Sequence, residues 1–186
     1  MKSMTPLHLG GHLNKTHIDS GAFQWAVEQY GIATMIDIGC GPGGMRELAE
    51  SLDVNWVGVD GDSSVWSSES GILLHDFTLG PISNVQHETY DLGWSVEFLE
   101  HVEEKFVANY MSLFAKCEVI VATAAPPGYP GHHHVNCRST DYWAGVFAAN
   151  GFLFDASATA TLRSVSTMAK PFMQKNGMLF RRHDYV

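Results

Sequence analysis

The sequence is short of basic side chains. Lys and Arg number 11 against 20 Asp and Glu, for a net charge of −9 over 186 residues. A surface of that sign repels a phosphate backbone, so no nucleic acid is expected as a partner. Only Lys175, Arg181 and Arg182, near the C-terminus, offer a local basic patch. Cysteine is scarce as well. Cys40, Cys117 and Cys137 share no metal-ligand spacing and cannot all pair, which reads as free thiols in a reducing cytoplasm. No apolar run approaches the ~20 residues that cross a bilayer. The start, "MKSMTPLHLGGHLNKTH", lacks the apolar centre of a signal peptide. A cytoplasmic protein with no membrane partner is expected. Internal repeats, low-complexity tracts and linkers are also missing, so one domain is expected, as a monomer or homodimer.

What is present is an alternation of short apolar strands and helices. "ATMIDIG", "NWVGVD", "GILLHD", "YDLGWSV", "EVIVATA", "FLFDA" and "GMLFRR" read as strands. "GAFQWAVEQYG", after a capping Asp19 or Ser20, "MRELAESL", "EEKFVANYMSLFAK" and "TDYWAGVFAANG" read as helices. Weaker helices are expected at "SSVWSSES" and over "TATLRSVSTMA" before Pro171. Trp25, Trp56 and Trp66 read as packing residues. Asn176-Gly177 would suit a hairpin turn after "KPFMQ", but Pro171 weakens that partner strand and favours a looser turn. Such alternation predicts an α/β, doubly wound, mostly parallel sheet with helices on both faces. Residues 1–18, polar and carrying His8, His12 and His17, read as an arm or lid, and 19–186 as the single domain.

In "IDIGCGPGGMRELAE" the glycines fall at Gly39, Gly41, Gly43 and Gly44, between a strand and a helix. The spacing reads equally as G-x-G-x-G and G-x-G-x-x-G. Glycine there lets the backbone turn sharply and approach a ligand closely. Asp60 ends the next strand, where a carboxylate accepts both hydroxyls of a ribose. An adenosine cofactor is the expectation, and these features alone leave a methyl donor and a nicotinamide both open.

The next two strands decide. "LLHDF" ends in Asp76 and Phe77, and the fourth strand runs into "WSVEFLEHV". With "IDIGCGPGG", "VGVDGD", "LLHDF" and "YDLGWSVEFLEHV" in that order, residues 33–155 resemble the class I S-adenosylmethionine-dependent methyltransferases. The resemblance implies a Rossmann-like sheet with the last strand antiparallel, S-adenosylmethionine as cofactor and S-adenosylhomocysteine as product. It places Gly39, Cys40, Gly41 and Gly43 along the methionine and ribose, with Asp37 supporting the loop. Asp60 takes the ribose hydroxyls, with Gly61 and Asp62 beside it. Asp76 and Phe77 frame adenine, and Ser95 and Val96 offer backbone to the methionine. Glu97 and His101 fall at the pocket mouth. Gly93 departs from the pattern, since a larger apolar residue is usual there. A non-catalytic S-adenosylmethionine-binding module and a nicotinamide-dependent enzyme are the competing readings.

A sulfonium methyl is already activated, so a transferase must chiefly align the acceptor, and a hydroxyl acceptor must also lose a proton. "APPGYPGHHHVNCRSTDYW", after the fifth strand, is the expected acceptor loop. It is similar to an H-H-V-N segment of small phage-like and environmental methyltransferases. His133 or His134 is expected as base or acceptor-orienting group, with Glu97 as a further catalytic candidate. His101, His132, Asn136 and Tyr129 are expected to bind a small-molecule acceptor, His132 and His134 sharing one side of an extended backbone. His17 or Asn14 of the arm would close the site. No H-x-x-x-H or C-x-x-C pair supports a metal, and none is assigned; the alternative set is His132 and His134 with His12 or His17 and a carboxylate.

Overall fold

The computed structural model describes residues 6–184, so the outermost residues of the expected arm (1–5) and domain (185–186) lie outside it. In chain order the elements are α1 (Ser20–Tyr30), β1 (Thr34–Ile38), α2 (Met45–Ser51), β2 (Asn55–Asp60), β3 (Ile72–Leu74), β4 (Tyr90–Ser95) and α3 (Val107–Phe114). There follow β5 (Cys117–Ala122), α4 (Thr140–Ala149), β6 (Phe152–Phe154), α5 (Ala156–Val165), α6 (Phe172–Asn176) and β7 (Met178–Arg182).

The seven strands form one sheet in the order β3-β2-β1-β4-β5-β7-β6. Neighbours from β3 to β5 are parallel, whereas β7 runs antiparallel to both β5 and β6. The doubly wound sheet and its antiparallel last strand are thus as expected. The order reverses between β1 and β4, and ligands of open α/β sheets bind beyond the carboxyl ends of the strands at such a point.

Each face of the sheet carries an apolar layer. On one side Trp143, Tyr110, Phe114 and Phe147 pack over β4 and β5, and on the other Phe23, Met35, Trp94 and Leu179 pack beneath α1 and α5. All eight are at most 1 % exposed, and each such side chain contributes roughly 1.5–3 kcal/mol by leaving water. Gly93, the departure from the family pattern, has a packing cause. A Cβ there would stand 2.9 Å from the Cys117 sulfur and 3.2 Å from the Phe114 ring. Helix α1 begins at Asp19, whose carboxylate accepts the Ala22 amide at 3.1 Å and the Thr167 amide at 2.9 Å. That buried cap ties the helix start to the segment after α5.

Two expectations need correction. Residues 63–70 form turns rather than a short helix, because serines that bond locally replace the apolar stripe a helix needs. Trp66 is accordingly 49 % exposed, not packed. At Asn176-Gly177 no hairpin forms, in keeping with the preference for a looser turn after Pro171: the "KPFMQ" stretch enters α6, and β7 finds its partners in β5 and β6.

Candidate functional site

A cavity of about 320 Å³ opens beyond the carboxyl ends of β1, β2 and β4. Its floor is the glycine loop. Gly39 and Gly41 adopt φ of 75° and 53°, in the left-handed region where a side chain is strained. A Cβ on Gly39 would also stand 2.5 Å from the Phe98 ring. The loop is held to the end of β2: the Gly39 amide donates to the Val59 carbonyl at 2.8 Å, and the Gly41 amide to Asp60 Oδ2 at 2.8 Å. Asp60 Oδ1 accepts the Asp62 amide at 2.8 Å. Each Asp60 oxygen keeps a further lone pair toward the cavity, because an ionised carboxylate has about four acceptor sites. Burial raises the Asp60 pKa, with the two amides opposing it.

Below the loop, Asp37 is wholly buried, and that burial lifts its carboxyl to about 7 against the bond donated by Trp56 Nε1 at 3.3 Å. Burial likewise pushes the Cys40 thiol well up, leaving it an unreactive lining group. Val96, Phe77 and Gly61 line the cavity. Gly43, Ser95, Asp62 and Asn136 do not. A Cβ on Gly43 would face Trp56 at 3.1 Å; the Ser95 hydroxyl donates to the Ile38 carbonyl at 2.9 Å; Asn136 is 1 % exposed beneath the histidine loop.

The amino-terminal arm forms the roof. His8 Nε2 donates to Asp76 Oδ2 at 2.8 Å, while the other Asp76 oxygen accepts the Thr78 amide and hydroxyl. His12 Nε2 donates to Asp62 Oδ2 at 3.2 Å, so Asp62 anchors the arm. The Thr16 hydroxyl accepts the Gly44 amide at 3.0 Å and ties the arm to the end of the glycine loop, just before α2. His17 packs edge-on against Phe172, 4.9 Å between centroids, and its pKa is lowered first by burial and then by Lys170 and Lys15. Sequence reasoning put the closing contact on His17 or Asn14 and missed His8 and His12.

The far wall joins the end of β4 to the histidine loop. Glu97 takes φ of 55°, left-handed for a residue with a side chain, and its Oε1 accepts the Thr123 hydroxyl at 2.9 Å. Such strain persists only where surrounding contacts hold it. Burial raises the Glu97 pKa. His101 is lowered to about 4, chiefly by burial and then by His134, so its ring is neutral at physiological pH. Burial, joined by the Glu97 charge, drives Glu100 well up. Residues 132–134 are not extended: His132 and His133 form a turn and His133 has φ of 46°. The expected pairing of His132 with His134 on one side therefore fails. His132 reaches the Leu9 carbonyl at 3.3 Å, His133 lies 6.3 Å from the His8 ring, and His134 packs 4.9 Å from His101. Tyr129 lines the cavity and its carbonyl accepts the His134 Nδ1–H at 3.0 Å.

Glu100 was passed over in the sequence, although Glu97, Glu100 and His101 stand at i, i+3 and i+4, a spacing that brings side chains together on a helical turn. The alternative metal set is not assembled: His12 and His132 are engaged with Asp62 and the Leu9 carbonyl.

No protein-family model matches the chain, and no curated protein matches it in sequence. Solved structures match it in fold. A putative sarcosine dimethylglycine methyltransferase from Galdieria sulphuraria is 14 % identical with a TM-score of 0.58, over 88 % of this chain and 85 % of that one. Magnesium protoporphyrin IX methyltransferase from Synechocystis PCC 6803, solved with S-adenosylhomocysteine, is 16 % identical with a TM-score of 0.56, over 87 % and 78 %. A SAM-dependent methyltransferase from Archaeoglobus fulgidus is 17 % identical with a TM-score of 0.53, over 70 % and 67 %. The architecture is therefore the Rossmann-like fold of S-adenosylmethionine-dependent methyltransferases. Its antiparallel β7, inserted between β5 and β6, departs from the 3-2-1-4-5-6 order of the dinucleotide-binding fold.

Proposed function

We propose that this chain is an enzyme that transfers a methyl group from S-adenosylmethionine to an oxygen or nitrogen of a small or medium acceptor. One observation carries the reading. A single cavity has the glycine loop and Asp60 on one wall and Glu97, His101 and His134 on the other. Its volume lies within the range of about 300–1,000 Å³ usual for small-molecule sites.

The residues present fit the cofactor. The left-handed glycines let the loop backbone turn tightly at the cavity floor, and Asp60, with one amide on each oxygen, keeps acceptor capacity suited to ribose hydroxyls. When bound, the cofactor supplies an activated methyl on sulfur. Gly39, Cys40, Gly41 and the backbone of Val96 shape the methionine end, and Phe77 covers the adenine end. Asp76 is the adenine partner, and its outer oxygen is held by His8, so the arm closes over that end as a lid. A closed lid excludes water and strengthens the electrostatic contacts within.

On the acceptor side, Glu97 is the proton acceptor. It faces the cavity, is anchored by Thr123, and is shifted toward neutral pH, where a base is most effective. His134, His101, His132 and Tyr129 position the acceptor, with His133 at the rim and Asn136 supporting the loop from below. Alignment of this kind contributes up to roughly 7–11 kcal/mol to a bimolecular reaction. The three free cysteines accord with a reducing cytoplasm, and no helix among the described residues is long and apolar enough to cross a membrane.

Native mass spectrometry of the purified protein, followed by titration with S-adenosylhomocysteine, tests the reading. Saturable binding that is lost in Asp60→Ala supports it and opens a screen of labelled-methyl transfer to hydroxyl and amine acceptors. No binding, or binding of NAD instead, overturns it.

A further inference from the structure

One ligand atom each from Glu100, His101 and His134 lies within 4.8 Å of the other two. Three ligands around a single first-row ion with bonds of about 2.1 Å stand about 3.4–3.6 Å from one another, so the side chains close in by up to about 1.4 Å on binding. The atoms come from two distant segments, and the backbone fixes both. The Glu100 carbonyl accepts the amides of Val135 and Asn136, each at 3.0 Å, which clamps the histidine loop onto the turn after β4.

The side chains are built for a ligand that protein atoms do not supply. Glu100 is fully buried; its Oε1 accepts the Ala125 amide at 3.1 Å, while Oε2 has no N–H or O–H donor, and the Glu97 carboxyl bonds to Glu100 only when one of the two holds a proton. His101 Nδ1 is buried and has no partner either. An unpaired buried polar atom costs about 1–3 kcal/mol, so two together call for a missing partner. In His134, Nδ1 donates to the Tyr129 carbonyl, which leaves the lone pair on Nε2. Metal-bound histidines are oriented in this way, by a carbonyl or carboxylate on the second ring nitrogen. The Nε2 also lies where a Cβ on Gly131 would be, at 2.1 Å, so glycine is required for the ring to sit there.

We propose that Glu100, His101 and His134 form a divalent cation site at the edge of the cavity, open on the side facing Glu97. Two imidazoles and one carboxylate favour a first-row ion of the Mn²⁺, Co²⁺ or Zn²⁺ kind over Mg²⁺ or Ca²⁺, which take mostly oxygen ligands. The cavity wall includes Glu97, His101 and His134, so the open coordination position faces the space left for the acceptor. Resting on the methyl-transfer reading, the cation binds the acceptor through a hydroxyl oxygen and lowers that hydroxyl's pKa. Glu97, beside the open position, receives the proton.

The test uses the full chain, stripped with chelator and dialysed, and titrated calorimetrically with MnCl₂ and CoCl₂. One equivalent of ion at micromolar affinity is expected, together with Co²⁺ d–d absorption. Glu100→Gln and His101→Ala each weaken binding at least 100-fold, and Gly131→Ala weakens it about tenfold by displacing the His134 ring. His132→Ala and His133→Ala leave it within twofold. No saturable binding to wild-type protein overturns the site. So does binding that survives Glu100→Gln and His101→Ala but is lost in His132→Ala or His133→Ala, which would mark surface histidines. S-adenosylhomocysteine is titrated into the same samples. Cofactor binding without metal defeats only the cation site, and metal binding without cofactor defeats only the methyl-transfer reading.

Discussion

The two walls of the cavity are made differently. The cofactor wall is mostly backbone from consecutive elements: the loop after β1, the end of β2 and the turn after β3, tied together by amides donating to Val59 and Asp60. The acceptor wall is mostly side chain, drawn from the turn after β4, the loop after β5 and the arm 80 or more residues upstream of both. A wall built on backbone reads a cofactor's shape, with Asp60 as its main side-chain contact. A side-chain wall carries protons, ligands and specificity, and a single substitution changes its chemistry.

The largest effects should separate the walls. Glu97→Gln is expected to reduce methyl transfer by roughly 10²–10⁴-fold, the range for loss of one general base. S-adenosylhomocysteine affinity should stay within threefold, and an equal loss of both would merge the two walls into one. Asp60→Ala should do the reverse. It removes hydrogen bonds to a charged group worth roughly 1.5–3 kcal/mol, so affinity falls about 10- to 100-fold. Turnover at saturating cofactor should change much less; isothermal titration and initial rates measure the two.

The walls also differed in how far they could be read from sequence. The glycine loop and Asp60 announce themselves because turn, close approach and strand end lie within one short segment. The fold was legible for the same reason, since period and punctuation are local. Asp62 and Ser95 sit inside matched motifs but spend their polar atoms on His12 and Ile38. Adjacency in a motif does not fix which way an oxygen points. The Glu97, Glu100 and His101 spacing was visible, yet nothing local showed that the Glu100 carbonyl clamps the histidine loop. The turn at His132 and His133 was hidden as well, because a run of three histidines carries no alternation to mark an extended backbone.

The arm is where the two walls meet, since His8 bonds Asp76 after β3 and the Leu9 carbonyl accepts from His132 in the loop after β5. Removing residues 1–18 should therefore weaken S-adenosylhomocysteine binding by about tenfold. It should also cost about 1 kcal/mol through loss of the Thr16–Gly44 hydrogen bond, or roughly 2–4 °C in Tm for a chain of this size. Unchanged affinity, measured by calorimetry beside a thermal melt, would leave the arm a passive terminus and the two walls unconnected.

The smallest effect falls beneath the cofactor wall. Asp37 is an acid whose folded-state pKa is raised to about 7 by burial, so the folded protein holds its proton more tightly than the unfolded chain does. Stability from that group is full below the ordinary carboxylate pKa near 3.8 and is lost as pH rises toward 7. Glu97, Glu100 and Asp60 shift in the same direction and add to the decline between about pH 3.8 and 7, while His101, lowered from 6.5 to about 4, opposes it between those two values. Asp37→Asn removes one ionisation while keeping an acceptor for Trp56 Nε1. Urea unfolding across that pH range should show a shallower decline in the variant. An unchanged slope would place the Asp37 proton in contact with water, and the loop floor would then be as open to solvent as the acceptor wall.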